Sequence, residues 1–292
     1  MAANSERQQT GTTVTTLVSG VDVDAYFQRI GYAGPATPTL DTLQGLVTHH
    51  TRTIPFENID PLLGTPVVDL SAGALAAKLV DRGRGGYCYE HNGLMRYVLQ
   101  SLGFDVQLLT GRVVWMLPDD APLPARTHNV LSVTIPETGI EYLVDVGFGG
   151  QTLSSPIRMV LDTAQATRHE PYRIVRHDQA LMLQALIRDA WRPLYTFTRA
   201  PSPPIDLEVG SWYVSTHPAS IFVVGLTAAR VTDDARWNLR GRNLSVHGLD
   251  GSSTKTRLES AVEVVEVLQH RFDIDLSGVT GLEQRVEEVL DT

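Results

Sequence analysis

The chain has 292 residues, 42% of them hydrophobic and 20% charged, and a formal net charge of −9. That balance is globular, and its acidic sign argues against a nucleic-acid binder, which needs a basic stripe. No stretch approaches the roughly 20 apolar residues of a membrane span. A single cysteine permits no internal disulfide, which suits a reducing compartment, and the first 20 residues do not read as a signal peptide. The sequence therefore predicts a soluble, cytoplasmic protein with no membrane partner.

Residues 1–20, rich in Ser, Thr and Gln, read as a mobile arm. Asp22 or Asp24 caps a short helix through Tyr26, Phe27 and Ile30 that Gly31 ends. A second helix runs from Pro38 to Arg52 with Leu40, Leu43, Leu46 and Val47 on one face. The proline-bracketed stretch Ile54–Pro61 is expected to be non-helical. Ser71 opens a third helix through Leu75, Leu79 and Val80 into a glycine turn. From Cys88 onward, His91, Asn92, Met95, Leu99 and Leu102 fall at helical spacing, with Gly103 as the stop.

After Gly103 the pattern changes. Residues 105–116 and 128–147 are rich in β-branched residues and alternate as strands do, with a proline-rich loop, residues 117–124, between them. Further strands are expected near Tyr172–His177, Trp191–Phe197 and Phe222–Val231. Arg199–Pro204 reads as a linker. Ser260 and Glu263 form a capping box ahead of a helix carrying Val262, Val265, Leu268 and Phe272.

The lone cysteine lies where the glycine turn becomes a helix, so its sulfur sits near unpaired N–H groups and roughly half a positive charge, a setting that favours thiolate. A buried cysteine serving as a small hydrophobe is the alternative. The segments around Pro136-Glu137-Thr138-Gly139 form a hairpin. With a two-residue loop, Pro136 faces Gly139 and Asp145 faces Val130. His128 shares a face with Val130, so Asp145 becomes its diagonal neighbour, roughly 7–8 Å away between backbones. A carboxylate beside an imidazole is what a nucleophilic cysteine requires: the acid fixes the tautomer and the other ring nitrogen takes the thiol proton. Taken singly, His128 also reads as a satisfied strand-end residue and Asp145 as a turn residue. Cys88 with His91 and His49-His50 gives no zinc site, since no other thiol exists.

Arg84-Gly85-Gly86-Tyr87-Cys88-Tyr89-Glu90-His91-Asn92 resembles the nucleophile motif of the arylamine N-acetyltransferases. Ile54-Pro55-Phe56-Glu57-Asn58 is similar to that family's P-F-E-N segment, and Thr127-His128-Asn129 and Val144–Gly149 resemble those bearing its catalytic histidine and aspartate. The resemblance implies an α+β fold: an N-terminal helical bundle (residues 21–104), a central antiparallel β-barrel (105–204) and a C-terminal α/β lid (205–292), with a cysteine-proteinase-like core arrangement. It implies Cys88, His128 and Asp145 as catalytic residues and acetyl-CoA as co-substrate, without a metal. The expected reaction is ping-pong acetyl transfer to an arylamine or arylhydrazine. Val113, Trp115 and Gly149 would lie along the CoA and acyl path; Phe56, Tyr89, Phe148 and Phe222 would wall the acceptor site. A papain- or transglutaminase-like thiol hydrolase and a non-catalytic binding module are the rival readings.

Overall fold

The computed structural model describes residues 20–118 and 120–291, so the expected N-terminal arm, apart from Gly20, lies outside the described residues. Helix α1 (Val23–Ile30) starts where the Asp22 carboxylate accepts from the Ala25 N–H and ends at Gly31, whose φ of 66° is left-handed. Helix α2 (Leu40–Thr53) buries Leu43, Leu46 and Val47. Part of the stretch expected to be non-helical is ordered otherwise: Phe56–Glu57 is a short strand, β1, and Ile59–Leu62 a single-turn helix, α3. Pro61 is tolerated there because first-turn N–H groups need no partner within the helix. Helix α4 (Ala72–Ala76), capped by Ser71, runs into a wide π-turn, Ala77–Asp81. Helix α5 (Cys88–Ser101) follows the glycine turn.

Seven antiparallel strands come next: β2 (Asp105–Val113), β3 (His128–Ile135), β4 (Ile140–Val144), β5 (Ile157–Arg158), β6 (Tyr172–His177), β7 (Ala180–Ile187) and β8 (Ala190–Phe197), in the order β5-β4-β3-β2-β8-β7-β6. Bridges from Leu161 to Ile174 and from Gln165 to Tyr172 bring the chain after β5 to the far edge, so the sheet curls into a nearly closed barrel. The β3–β4 ladder runs from Ile135–Ile140 to Leu131–Val144, the register expected of this hairpin. Its turn, however, holds four residues, not two. Pro136 has no N–H to pair, and the Ile135 carbonyl instead accepts from both Thr138 and Gly139.

Helix α6 (Pro204–Thr216) and the one-turn helix α7 (Ile221–Val224) lead into strands β9 (Thr227–Val231), β10 (Ala235–Arg240), β11 (Asn243–Gly248) and β12 (Ser253–Arg257). Helices α8 (Ala261–His270) and α9 (Leu282–Glu288) complete the described chain. The stretch Phe222–Val231, expected as one strand, is thus α7 followed by β9, because Ser220 caps a helical turn first. On α8 the buried residues are Ala261, Val264 and Leu268, whereas Val262 is exposed.

β1 pairs with β9, and Ile59 and Leu62 enter the apolar cluster of Leu226, Leu239, Val264, Leu268 and Phe272. The segment between α2 and α4 therefore packs as part of the C-terminal sheet. A second cluster joins α1, α2 and α5 to one face of β3 and β4, and a third fills the barrel around Leu109, Val130, Leu143 and Tyr172. No helix among the described residues is long and apolar enough to cross a membrane.

Candidate active site

Backbone approach sets the position of Cys88. A Cβ on Gly85 would lie 2.0 Å from the Pro55 carbonyl oxygen, and one on Gly86 2.5 Å from a Glu90 carboxylate oxygen. Only glycine allows the chain to pass there. The Tyr87 N–H donates to Glu90 Oε2 at 3.0 Å, which caps α5 and makes Cys88 its first residue. Cys88 is 4% exposed, and its thiol points at the Thr127 carbonyl, 3.7 Å away.

His128 opens β3, and Asp145 follows the last residue of β4. His128 Nε2 lies 2.7 Å from Asp145 Oδ2, the diagonal contact that the hairpin register allows. Because Nε2 faces the carboxylate, Nδ1 is the ring nitrogen left for Cys88, which itself helps to hold the imidazole protonated. The other carboxylate oxygen, Asp145 Oδ1, accepts from Asn92 Nδ2 at 3.0 Å and from the Gly147 N–H at 3.1 Å. Asn92 also donates to the Asn129 carbonyl at 2.8 Å and accepts from the Val146 N–H at 3.0 Å. One side chain thereby ties α5 to β3 and to the chain leaving β4. Its helical spacing was legible; this tie was not. Asn92 lies four residues after Cys88, one turn along the same helix face.

Burial by itself would drive the His128 imidazolium to lose its proton. The Asp145 charge and hydrogen bond, with a smaller contribution from Cys88, outweigh that and push its pKa up to about 10. Burial likewise opposes ionisation of Asp145, but His128, Asn92 and the Gly147 N–H hold its carboxyl below the ordinary value. At neutral pH the pair is imidazolium and carboxylate.

A buried ionic cluster supports the turn from beneath. Arg84 Nη2 pairs with Glu57 at 2.7 Å and with Asp60 at 2.9 Å. Lys78 Nζ, carried by the π-turn, lies 2.6 Å from both Asp60 and Glu90. Glu57 Oε2 also accepts from the Ile59 N–H at 2.6 Å. Asn58 donates to the carbonyls of Phe222 and Gly225, at 2.8 and 2.7 Å, and accepts from the Thr227 N–H at 2.8 Å. It fastens the α7–β9 junction to the nucleophile side of the molecule.

The aromatic residues divide into two groups. Phe148 packs edge-on to His128, with ring centroids 5.2 Å apart, and Tyr195, which only the structure singles out, lies 4.8 Å from the same imidazole. Phe56 and Phe222 meet at 5.9 Å, and Phe222 meets Tyr87 at 5.6 Å. Tyr89 is not in this group: it is 1% exposed, stands behind Tyr87 at 5.7 Å, and places its hydroxyl against Gly210. Val113 pairs with Tyr195 at the end of β2, and half-buried Trp115 packs with Phe148 against the barrel core. Gly149 has a φ of 75°, and a Cβ there would touch the Phe56 ring at 3.5 Å. The adjacent residues Phe148 and Gly149 thus join the His128 and Phe56 groups. Among the described residues, no group of three or more His, Cys, Asp or Glu side chains is arranged to hold a metal ion.

A cysteine at a helix start, facing an imidazole held by a carboxylate beside a barrel, is suited to carry an acyl group. Residues 39–280 match the N-acetyltransferase family, which defines the class of the protein. The arylamine N-acetyltransferase of Mycolicibacterium smegmatis is 62% identical over 274 residues, covering 93% of this chain and 99% of that one. A solved M. smegmatis arylamine N-acetyltransferase superposes with a TM-score of 0.91 at 62% identity, covering 93% of this chain and all of that one. The Mycobacterium marinum arylamine N-acetyltransferase, solved in complex with CoA, gives a TM-score of 0.90 at 55% identity and covers 92% and 99% of the two chains. The chain belongs to the arylamine N-acetyltransferases.

Proposed function

We propose that the protein acetylates an arylamine or arylhydrazine from acetyl-CoA by a ping-pong route through acetyl-Cys88. The observation that carries this reading is the His128–Asp145 pair beside Cys88, in which Nε2 lies 2.7 Å from a buried carboxylate and Nδ1 is left for the thiol. The Cys88 thiolate attacks the thioester carbonyl carbon of acetyl-CoA. The bond from that carbon to the CoA sulfur breaks, and the departing thiolate takes the imidazolium proton from His128. The arylamine nitrogen then attacks the acetyl-cysteine carbonyl, and neutral His128 accepts the proton that nitrogen sheds. Cleavage of the carbon–sulfur bond returns the Cys88 thiolate beside a protonated His128. Asp145 stays ionised throughout, holding the ring and its tautomer.

Thioester-to-thioester exchange is nearly isoenergetic, so a cysteine stores the acetyl group without further input. Phe56, Phe148 and Phe222 are read as the acceptor walls, with Tyr87 rather than Tyr89 as the tyrosine meeting Phe222. Val113, Trp115 and Gly149 are read as lying on the CoA side. The relative in complex with CoA supports that co-substrate.

Mass spectrometry after incubation with acetyl-CoA alone tests the intermediate: one acetyl group on the Cys88 peptide, discharged on adding 5-aminosalicylate with formation of N-acetyl product. Unmodified Cys88 under those conditions refutes the route. CoA release that ignores the amine and leaves no N-acetyl product would assign the protein to thiol hydrolysis instead.

A further inference from the structure

Helix α5 presents more than one functional face. Cys88 and Asn92 look toward the barrel, whereas Tyr89, Gly93, Arg96 and Tyr97 recur at helical spacing on an adjoining face. That face, the chain before α4 and the start of α6 enclose a cavity of about 310 Å³. Tyr89 and Gly93 are among its lining residues. Two buried polar atoms among its lining residues have no hydrogen-bond partner among the described residues: the Tyr89 hydroxyl and Arg96 Nε. Burying such groups unpaired is costly. The Arg96 guanidinium is held over the Tyr97 ring, 4.2 Å from its centroid. Leu108 and Leu207 supply apolar wall, and the exposed carboxylates of Asp69 and Glu208 stand at the rim.

We propose that this cavity is a second binding site, separate from the thiol, for a single-ring aromatic carboxylate carrying a cationic amino group at its far end. Two buried, unpartnered donors on its lining residues call for an acceptor oxygen, and the guanidinium favours a charged one. The walls accept an apolar ring. The two rim carboxylates repel multiply charged anions such as a pyrophosphate and attract an ammonium group. An occupant touches Tyr89, the first of a run of rings. Tyr89 meets Tyr87 at 5.7 Å, Tyr87 meets Phe222 at 5.6 Å, and Phe222 meets Phe56 at 5.9 Å. The cavity therefore has a packed connection to the aromatic group beside Cys88, although its own recognition chemistry does not depend on acetyl transfer.

The test is calorimetric titration and crystal soaking of the full chain with 4-(aminomethyl)benzoate, whose alkylamine is protonated at neutral pH and so is not an arylamine acceptor. The expected result is saturable binding, with the carboxylate on Arg96 and Tyr89. Affinity falls about tenfold or more in Arg96→Gln, the loss of one charge-assisted hydrogen bond, and falls also in Tyr89→Phe. Binding survives alkylation of Cys88 unchanged. 4-Methylbenzoate, which lacks the amine, binds about two- to fivefold more weakly, as a rim ion pair warrants. Ordered water alone in the cavity at saturating ligand overturns the proposal, as does equal affinity in Arg96→Gln. Loss of binding on alkylation of Cys88 would move the ligand to the thiol site and also overturn it, and equal affinity for the two benzoates would overturn the assigned ligand class. None of these outcomes bears on whether acetyl-Cys88 forms.

Discussion

Replacing Asp145 by asparagine tests the electrostatics of the site in one step. The two carboxylate oxygens have unequal surroundings: Oδ1 accepts from Asn92 and Gly147, and Oδ2 faces His128. An asparagine keeps its oxygen toward the two donors, which leaves its NH₂ facing His128 Nε2. That nitrogen must then accept, so the ring proton moves to Nδ1, the nitrogen left for Cys88, and the base is lost. The charge that lifts His128 from 6.5 to about 10 disappears as well. At about 1.4 kcal/mol per pH unit, that lift is worth about 5 kcal/mol. An analogous acid-to-amide change in a Ser-His-Asp triad costs about 10⁴ in kcat, and a loss of about 10³–10⁴ is expected here. The assay is iodoacetamide alkylation of Cys88 followed from pH 5 to 9. The wild type reacts quickly with a nearly flat profile, because the imidazolium persists to about pH 10. Asp145→Asn reacts slowly at neutrality and speeds up with rising pH. A variant whose profile stays flat, within about threefold of wild type, would refute the ion-pair argument.

Lys78→Met leaves Glu90 and Asp60 without their shared cation, and a buried charge stripped of its partner costs about 3–5 kcal/mol. Urea unfolding should show that loss, with partial recovery in the double variant Lys78→Met/Glu90→Gln; no recovery would mean that packing, not charge, was lost. Asn58→Ala orphans two carbonyls and an N–H, at about 1–3 kcal/mol for each group left buried. It should also raise KM for the arylamine more than that for acetyl-CoA, since Phe222 is released; equal changes would contradict this. The buried imidazoles of His50 and His91 form a directional chain: Tyr26 O–H donates to His50, His50 to His91 at 2.8 Å, and His91 to the Pro55 carbonyl. Burial keeps both neutral, holding His91 at about 4 and His50 well below 6.5. The unfolded chain binds these protons below about pH 6.5, so stability falls as pH drops from 7 toward 5. His128 contributes no loss in that window, because its raised pKa adds stability that goes only above 6.5, and Asp145 loses its share only on approaching 3.8. His91→Gln should flatten the slope by up to about 1.4 kcal/mol per pH unit; an unchanged slope would refute the neutral chain.

Much of this was legible because it rests on local chemistry. Asp22 and Gly31 bound α1, Ser71 and Ser260 cap their helices, and the glycine turn before Cys88 reads from composition. The hairpin register followed from alternation and the position of the turn, which are short-range properties, although the turn holds four residues instead of two. What was not legible depends on distant partners. The antiparallel run β10–β11–β12 has an almost entirely exposed last strand and weak alternation, so no periodic signal marked it. Helix α6 is apolar on its outer side too, with Ile205, Val209 and Trp212 exposed, and lacks a clean amphipathic stripe. β1 is two residues long and is held by partners distant in sequence, β9 and Gly86. Lys78 carries no signal of its own in the sequence; the fold brings Asp60 and Glu90 to it.

The residues of the nucleophile motif do unequal work, and the geometry explains why they occur together. Only Cys88 reaches toward His128. Gly85 and Gly86 are present because Pro55 and Glu90 occupy the space any side chain would need. Glu90 caps the helix with one oxygen and binds Lys78 with the other. Arg84 reaches back to Glu57, whose neighbour Asn58 fixes the chain around Phe222. Asn92 then fixes the aspartate that fixes the histidine. Each contact removes a freedom that would otherwise move the sulfur relative to the imidazole, and a shift of about 1 Å is enough to cost some 10²-fold in rate. A lone cysteine in a 292-residue chain thus sits within a nine-residue pattern, Arg84–Asn92, because its reactivity depends on position as much as on charge.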